Sequence, residues 1–390
     1  MRTIISLKKI ISDTFICIPF IDIISGFLMK QMGINGFSLV IRLLFLALYM
    51  LYIGKYLLNK RNVWVFVFAG YAIFQTIILN LANDVALFNA VSEIIKYIYF
   101  FCVLLIFDRT DHVHLVKYKI IFCSVYPMAI IIPQLLGMNY STYADTTEGI
   151  GQMGWMYSVN VFSFVMIICF YYSTEYVINK MNITNVLRFV YTAVALLLIG
   201  SKSVYLYCVL IFMYFVLSGL NGTSARKLFK TLAWIIVVLC AFLCMLSLYR
   251  EQINGLIGRW IYFYDKRGAS GINGILNFLT SYRWERIELY GKLFISNPFN
   301  ILFGLGYAFF SSHVTVEMDV FTLLYAFGLV GTLLYLKAFF SAYDSIKRIK
   351  HISFVVFIAF TYLFFGGHVL SDAVANTVLA LVLTLDKKSL

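Results

Sequence analysis

The sequence predicts an all-α, polytopic integral membrane protein with about twelve transmembrane helices, and three observations carry that prediction. Of 390 residues, 62% are apolar and only 13% are charged, where a soluble domain has roughly 25% charged residues. Apolar runs near the ~20 residues needed to cross a bilayer recur along the whole chain. Basic residues alternate between successive interhelix segments, as the positive-inside rule requires.

Spans are expected at roughly 10–28, 37–58, 63–81, 85–107, 119–137, 155–174, 185–201, 203–220, 229–249, 319–341, 351–366 and 369–385. The termini and alternate loops of one face hold 18 basic residues, from Arg2 and Lys8 to Lys387 and Lys388. The short loops of the other face hold only Lys30 and Lys202. Both termini are therefore expected in the cytoplasm and the protein in the cytoplasmic membrane. The chain divides into spans 1–9 (1–249), a long external loop between spans 9 and 10 (250–318) and spans 10–12 (319–390). Its formal charge of +13 is explained by orientation and implies no nucleic acid. The seven cysteines lie in apolar runs, which favours neither a disulfide framework nor a thiolate metal site. The first apolar run carries Asp13, Pro19 and Asp22 and no A-x-A site, unlike a cleaved leader.

The first four spans carry Asp22, Arg42, Lys55, Glu93 and Lys96, and ionised groups at membrane depth are expensive and commonly functional. Glu93 and Lys96 are three residues apart and can pair on one helical face; the pair is either structural or part of a substrate site. Lys55 can snorkel to the cytoplasmic surface, and Arg42 either snorkels outward or faces an external site. Segment 138–160 is rich in Tyr, Gly and small polar residues. Its Tyr143, Trp155 and Asn160 are candidates for sugar binding, since aromatic faces with a polar tip stack on sugars. The same residues also suit an interfacial aromatic belt. Lys202, in GSKS between two apolar runs, is either a lipid anchor or part of an anion site.

The 250–318 loop carries Arg250, Arg259, Lys266, Arg267, Arg283, Arg286 and Lys292 despite its outer placement. Long loops cross regardless of charge, so these residues need another reason, and binding an external anion supplies one. Arg283 and Arg286 share a face of an expected helix, SYRWERIELYGKLF, with Trp284 and Tyr290 available to the interface. Gly304 and Gly306 permit a turn or a close backbone approach. His313, Glu317 and Asp319 then precede a span in which Gly328 and Gly331, three apart, allow close helix packing.

This arrangement resembles the O-antigen polymerase and ligase group, integral-membrane glycosyltransferases whose polymerases are called Wzy-type. The shared pattern is an Arg, an aromatic-rich helix, ILFGLG, and an acidic VEMD leading into a helix with FGLVG. IPFIDIISGF, GIGQMGWMYSVN, GSKS and FFGGHVLSD add shorter matches. Ligases commonly carry His-Asn at the helix start and Arg near the position of Lys202; here VEMD and Lys202 stand in those places, closer to the polymerases. The resemblance implies a glycosyltransferase-C-like membrane fold in a bacterium. It implies polymerisation of undecaprenyl-diphosphate-linked oligosaccharides into surface polysaccharide, O-antigen or capsule, on the outer face of the membrane. A ligase and a lipid-oligosaccharide flippase are the alternatives. Implied partners are the lipid-linked donor and acceptor, membrane lipids, a chain-length regulator and a flippase.

The chemistry fits these residues independently. A lipid-diphosphate leaving group needs cations for its developing charge, and Arg suits phosphate because its planar fork binds two oxygens. Arg283, Arg286, Arg259, Arg267 and Lys202 are the candidates. The attacking hydroxyl needs a base; Glu317 ranks first, His313 second as its orienting partner or substitute, and Asp319 third as a structural cap. If helical geometry already holds there, His313 and Glu317 share a face. The glycosyl diphosphate carries the free energy, so neither cofactor nor metal is expected.

Overall fold

The computed structural model describes residues 2–57, 62–83, 87–138, 140–142, 151–220, 276–277, 280, 283–307, 316–344 and 353–388. Among these, the regular elements are helices: α1 (Arg2–Met32), α2 (Phe37–Leu57), α3 (Val63–Asn83), α4 (Leu87–Arg109), α5 (His112–Val125), α6 (Met128–Leu135), α7 (Val159–Asn179), α8 (Ile183–Leu198), α9 (Lys202–Leu220), α10 (Arg283–Ile295), α11 (Pro298–Phe303), α12 (Asp319–Asp344), α13 (Phe354–Phe365) and α14 (Ala373–Lys388). One isolated antiparallel bridge joins Ser141 to Gln152.

A helix lies on eleven of the twelve expected segments; 229–249 falls outside the described residues. Among the described residues, five stretches are long and apolar enough to cross a membrane: Leu7–Met32, Phe37–Gly54, His112–Leu135, Val159–Asn179 and Asp319–Tyr343. The segment expected at 119–137 is divided into α5 and α6 at Tyr126-Pro127. Proline lacks the amide that would continue the ladder and disfavours helical backbone in the residue before it.

The chain forms two compact units, residues 1–122 with 280–390, and residues 123–279. In the first, α14 and α3 both pack on α4, α12 packs on α3, and α1 packs on α2. Its core is aromatic. Phe15 stacks on Tyr49 at 5.1 Å and meets Phe107 at 4.5 Å. A second cluster joins Tyr97, Tyr307, Phe327 and Tyr335, with Tyr97 edge-on to each of the other three. A buried ion pair, Arg42 Nη2 to Asp22 Oδ1 at 2.6 Å, joins α1 to α2, and the guanidinium lies 5.7 Å from the Tyr99 ring centre. Arg42 therefore neither snorkels nor faces outward. The side chain of Lys55 lies outside the described residues.

In the second unit α7 packs against α8 and α9 and is buried along most of its length. Trp155 is buried, its amide donating to the Ala129 carbonyl at 2.9 Å. Its ring is thus a packing group here rather than an open stacking face. Ser163 Oγ lies 3.4 Å from Ser201 Oγ, and Ser201 Oγ lies 2.9 Å from Ser203 Oγ, beside Lys202 at the start of α9.

The element that positions the candidate site is α12, a broken helix. Gly328 adopts φ 67°, ψ −174° and interrupts the ladder. A break at membrane depth leaves carbonyls that must find other donors. The amides of Leu305 and Gly306 donate to the Tyr325 and Ala326 carbonyls at 2.7 and 3.0 Å. Gln75 Nε2 donates to the Ala326 carbonyl at 2.8 Å, and the Tyr71 hydroxyl to the Phe327 carbonyl at 2.8 Å. Gly304 makes the approach possible: at φ 82°, any Cβ there would stand within 2.5 Å of the Gly328 amide nitrogen. The close approach expected of the glycines is thus a mutual one, Gly304 against Gly328.

Candidate active site

Helix α10 begins over Thr280, whose Oγ1 accepts from the Trp284 amide at 3.1 Å. Its buried face, Ile287, Tyr290 and Phe294, docks on α12. Phe294 meets the Tyr325 ring at 5.2 Å, and the Tyr325 hydroxyl donates to the Ile287 carbonyl at 3.2 Å. Tyr290 is therefore core rather than an interfacial residue, and Trp284 donates instead to Glu288 Oε1 at 2.8 Å. Next, α11 starts with Asn297 as cap, its side chain accepting from the Phe299 amide, followed by Pro298 in the first turn. The α10–α11 elbow thus fixes Arg283 and Arg286 beside the start of α12.

There the two arginines converge on one carboxylate. Arg286 Nη1 lies 2.9 Å from Glu317 Oε1, and Arg283 Nε lies 3.4 Å from Oε2. Arg283 Nη1 also donates to the Phe365 carbonyl at 2.7 Å, which ties the guanidinium to the end of α13. All three side chains are partly open: Arg283 is 11%, Arg286 31% and Glu317 29% exposed. Burial favours the neutral carboxyl of Glu317, but the Arg286 hydrogen bond and the two arginine charges outweigh it, holding its pKa below the ordinary value.

Glu317 is not helical. It adopts φ 59°, and α12 begins only at Asp319. The condition for a helical face shared with His313 is therefore not met, and His313 itself lies outside the described residues, as do Arg259, Arg267 and Tyr143. Asp319 caps no helix start: its buried side chain accepts from the amides of His368, Val369 and Leu370 in the turn after α13, the Val369 bond being 2.8 Å. Lys202, Trp155 and Asn160 belong to the other unit.

That three-amide cradle brings in a segment not ranked among the candidate groups: the turn Gly366-Gly367-His368-Val369-Leu370-Ser371-Asp372 between α13 and α14. Gly367, at φ 70°, lies so close to the Glu317 carbonyl that a Cβ would overlap it. His368 adopts φ 62°, and with Glu317 it is one of two non-glycine residues at positive φ among those described. Strained backbone of this kind costs about 1–3 kcal/mol and clusters at functional sites. Asp372 caps α14, accepting from the Val374 and Ala375 amides at 2.7 and 3.2 Å. Asn376 Nδ2 donates to the Lys96 carbonyl at 2.9 Å and so joins the turn to α4, where Lys96 pairs with Glu93. The sequence signal for this segment was Gly-Gly-His followed closely by Asp between two apolar runs.

The result is a basin of partly open charged groups drawn from α4, α10, the approach to α12 and the α13–α14 turn. It offers two guanidinium forks, with an imidazole and carboxylates nearby. No protein-family model, curated protein or solved structure matches the chain.

Proposed function

We propose that the protein polymerises lipid-diphosphate-linked oligosaccharide repeat units at the outer face of the bacterial cytoplasmic membrane. The observation that carries this reading is the convergence of Arg283 and Arg286 on Glu317 at the start of a broken helix. Two guanidinium forks meet one carboxylate there. A diphosphate offers more negative charge and more oxygens than Glu317, so it is the better partner for both forks. Glu317 is then the resident counter-ion of the two arginines, displaced or shared when the donor binds. Further support comes from position: the four segments of the basin all belong to stretches that loop charge assigns to the outer side. A twelve-span chain with cytoplasmic termini follows from the same assignment.

In the reaction, the arginines take up the charge that develops on the departing diphosphate. The acceptor is the terminal sugar of a second lipid-linked chain. The deciding experiment supplies purified protein in liposomes with lipid-linked repeat units and reads product length on a gel. Elongation by the wild type, lost in a stably folded Arg283→Ala variant, is expected; full-length product from that variant would remove Arg283 from the site. Deleting the gene distinguishes the alternatives. Retained single repeat units with loss of long chains is the polymerase outcome, lipid-linked free polymer the ligase outcome, and complete loss of export the flippase outcome. A cysteine placed at Ser270 should react with an impermeant reagent in spheroplasts, and protection there would overturn the outer placement of the loop.

A further inference from the structure

We infer that His368 takes the proton of the acceptor hydroxyl through Nε2, with Ser371 as its positioning residue; this rests on the glycosyl-transfer reading above. Residue 368 is partly open, whereas Gly366, Gly367, Val369 and Leu370 around it are buried. The backbone beneath is pinned by the three amides donating to Asp319 and by Asn376 Nδ2 donating to the Leu370 carbonyl at 3.2 Å.

The ring is oriented from behind. Nδ1 lies 3.4 Å from Ser371 Oγ, and behind the turn the Tyr307 hydroxyl lies 3.3 Å from that of Tyr97. With Nδ1–H donating to Ser371, the lone pair falls on Nε2, which makes no hydrogen bond among the described residues. A nitrogen base held by a third group on its far side is the arrangement by which hydroxyl nucleophiles are activated.

Four charged groups act on the ring: Glu317 from the approach to α12, Arg283 from α10, Lys96 from α4 and Asp372 from its own turn. Burial disfavours the imidazolium most, Glu317 and Asp372 favour it, and Arg283 and Lys96 oppose it. The balance lies below the ordinary value of 6.5, so the ring is neutral and able to accept a proton at pH 7. Glu317 is held in its ionised form by its two arginines, and both of its oxygens are engaged with them.

The step balances as follows. The acceptor oxygen forms a bond to the anomeric carbon of the donor sugar as the carbon–oxygen bond to the diphosphate breaks. The bonding pair leaves with the diphosphate, held by Arg283 and Arg286. The hydroxyl proton passes to Nε2, and the imidazolium later returns it to water.

The test uses His368→Asn and His368→Gly in the full chain, because Asn and Gly both accept a left-handed backbone. With the wild type elongating lipid-linked repeat units, His368→Asn should lower turnover by about 100-fold or more, with donor binding unchanged. The acid limb of the wild-type pH–rate profile should vanish in the variant, and added imidazole should restore part of the activity of His368→Gly. Turnover by His368→Asn within a few-fold of wild type would overturn the assignment. So would a low rate that keeps the wild-type acid limb and ignores imidazole, which marks a merely structural role. A wild type that binds the donor yet never elongates it would sink the polymerase reading and this inference with it.

Discussion

Two carboxylate–arginine groupings lie in the same compact unit, and they are built in opposite ways. Asp22 and Arg42 form a one-to-one pair at 2.6 Å, with side chains 3% and 9% exposed, roofed by the Tyr99 ring. Glu317 is shared between two arginines, and its side chain is 29% exposed. The first grouping is neutral and closed, so its energy goes into joining α1 to α2. The second brings two guanidinium forks to one partly open carboxylate, whose backbone lies at positive φ close against Gly367. Burying charge is costly in both places. The Asp22–Arg42 pair cancels that cost internally, whereas the guanidinium forks at Glu317 stay partly open to an incoming anion.

The comparison can be broken most directly at Arg283. Arg283→Ala should cut elongation by about 100-fold or more, the scale on which removing one transition-state donor acts, with little change in folded yield. Arg283→Lys keeps the charge but loses the fork, and should retain only a minor part of the activity. The matching changes at the closed pair should act on stability instead. Asp22→Ala leaves Arg42 buried without its partner and should cost about 3–5 kcal/mol, whereas Asp22→Leu with Arg42→Met should recover most of that. Thermal unfolding in detergent reads both. An Asp22→Ala protein that unfolds like wild type but fails to elongate would reverse the roles assigned to the two groupings.

A smaller effect is expected where the broken helix supports the open site. Gly304→Ala forces a Cβ toward the Gly328 amide at φ 82° and should lower stability by more than about 1 kcal/mol. The same measurement checks it, and an unchanged unfolding temperature would mean that the two backbones can part at no cost. Smallest is the acid dependence of the Glu317 pairs. The folded pKa of Glu317 is depressed, so its contribution is complete above the ordinary value of 4.5 and is lost as pH falls through the lower folded value. Glu317→Gln should remove that component from a stability–pH curve. Screening at a partly exposed site keeps it small; a curve unchanged by the substitution would separate Glu317 from both arginines.

Much of this was legible in residue order alone. Apolar runs fixed most helices, because a helix that satisfies its own backbone is the element an apolar environment allows. Spacing foretold the Glu93–Lys96 pair, since residues three apart share a helix face in any fold. The grouping of Arg283, Arg286, Glu317 and Asp319 in one stretch pointed to the site, whereas the partner of Asp319, the α13–α14 turn rather than a helix start, was not legible. What the order of residues could not decide was which partner each charge would take. Arg42 found Asp22 twenty positions away, and Arg283 found Glu317 across 34 residues. His368 came to the site because the packing of α13 and α14 brings its turn against residues 316–319. Hydropathy and helical period are local quantities, readable along the chain. Ion pairing, the break at Gly328 and the cradle around Asp319 depend on distances set only when remote segments pack, so only the tertiary structure decided them.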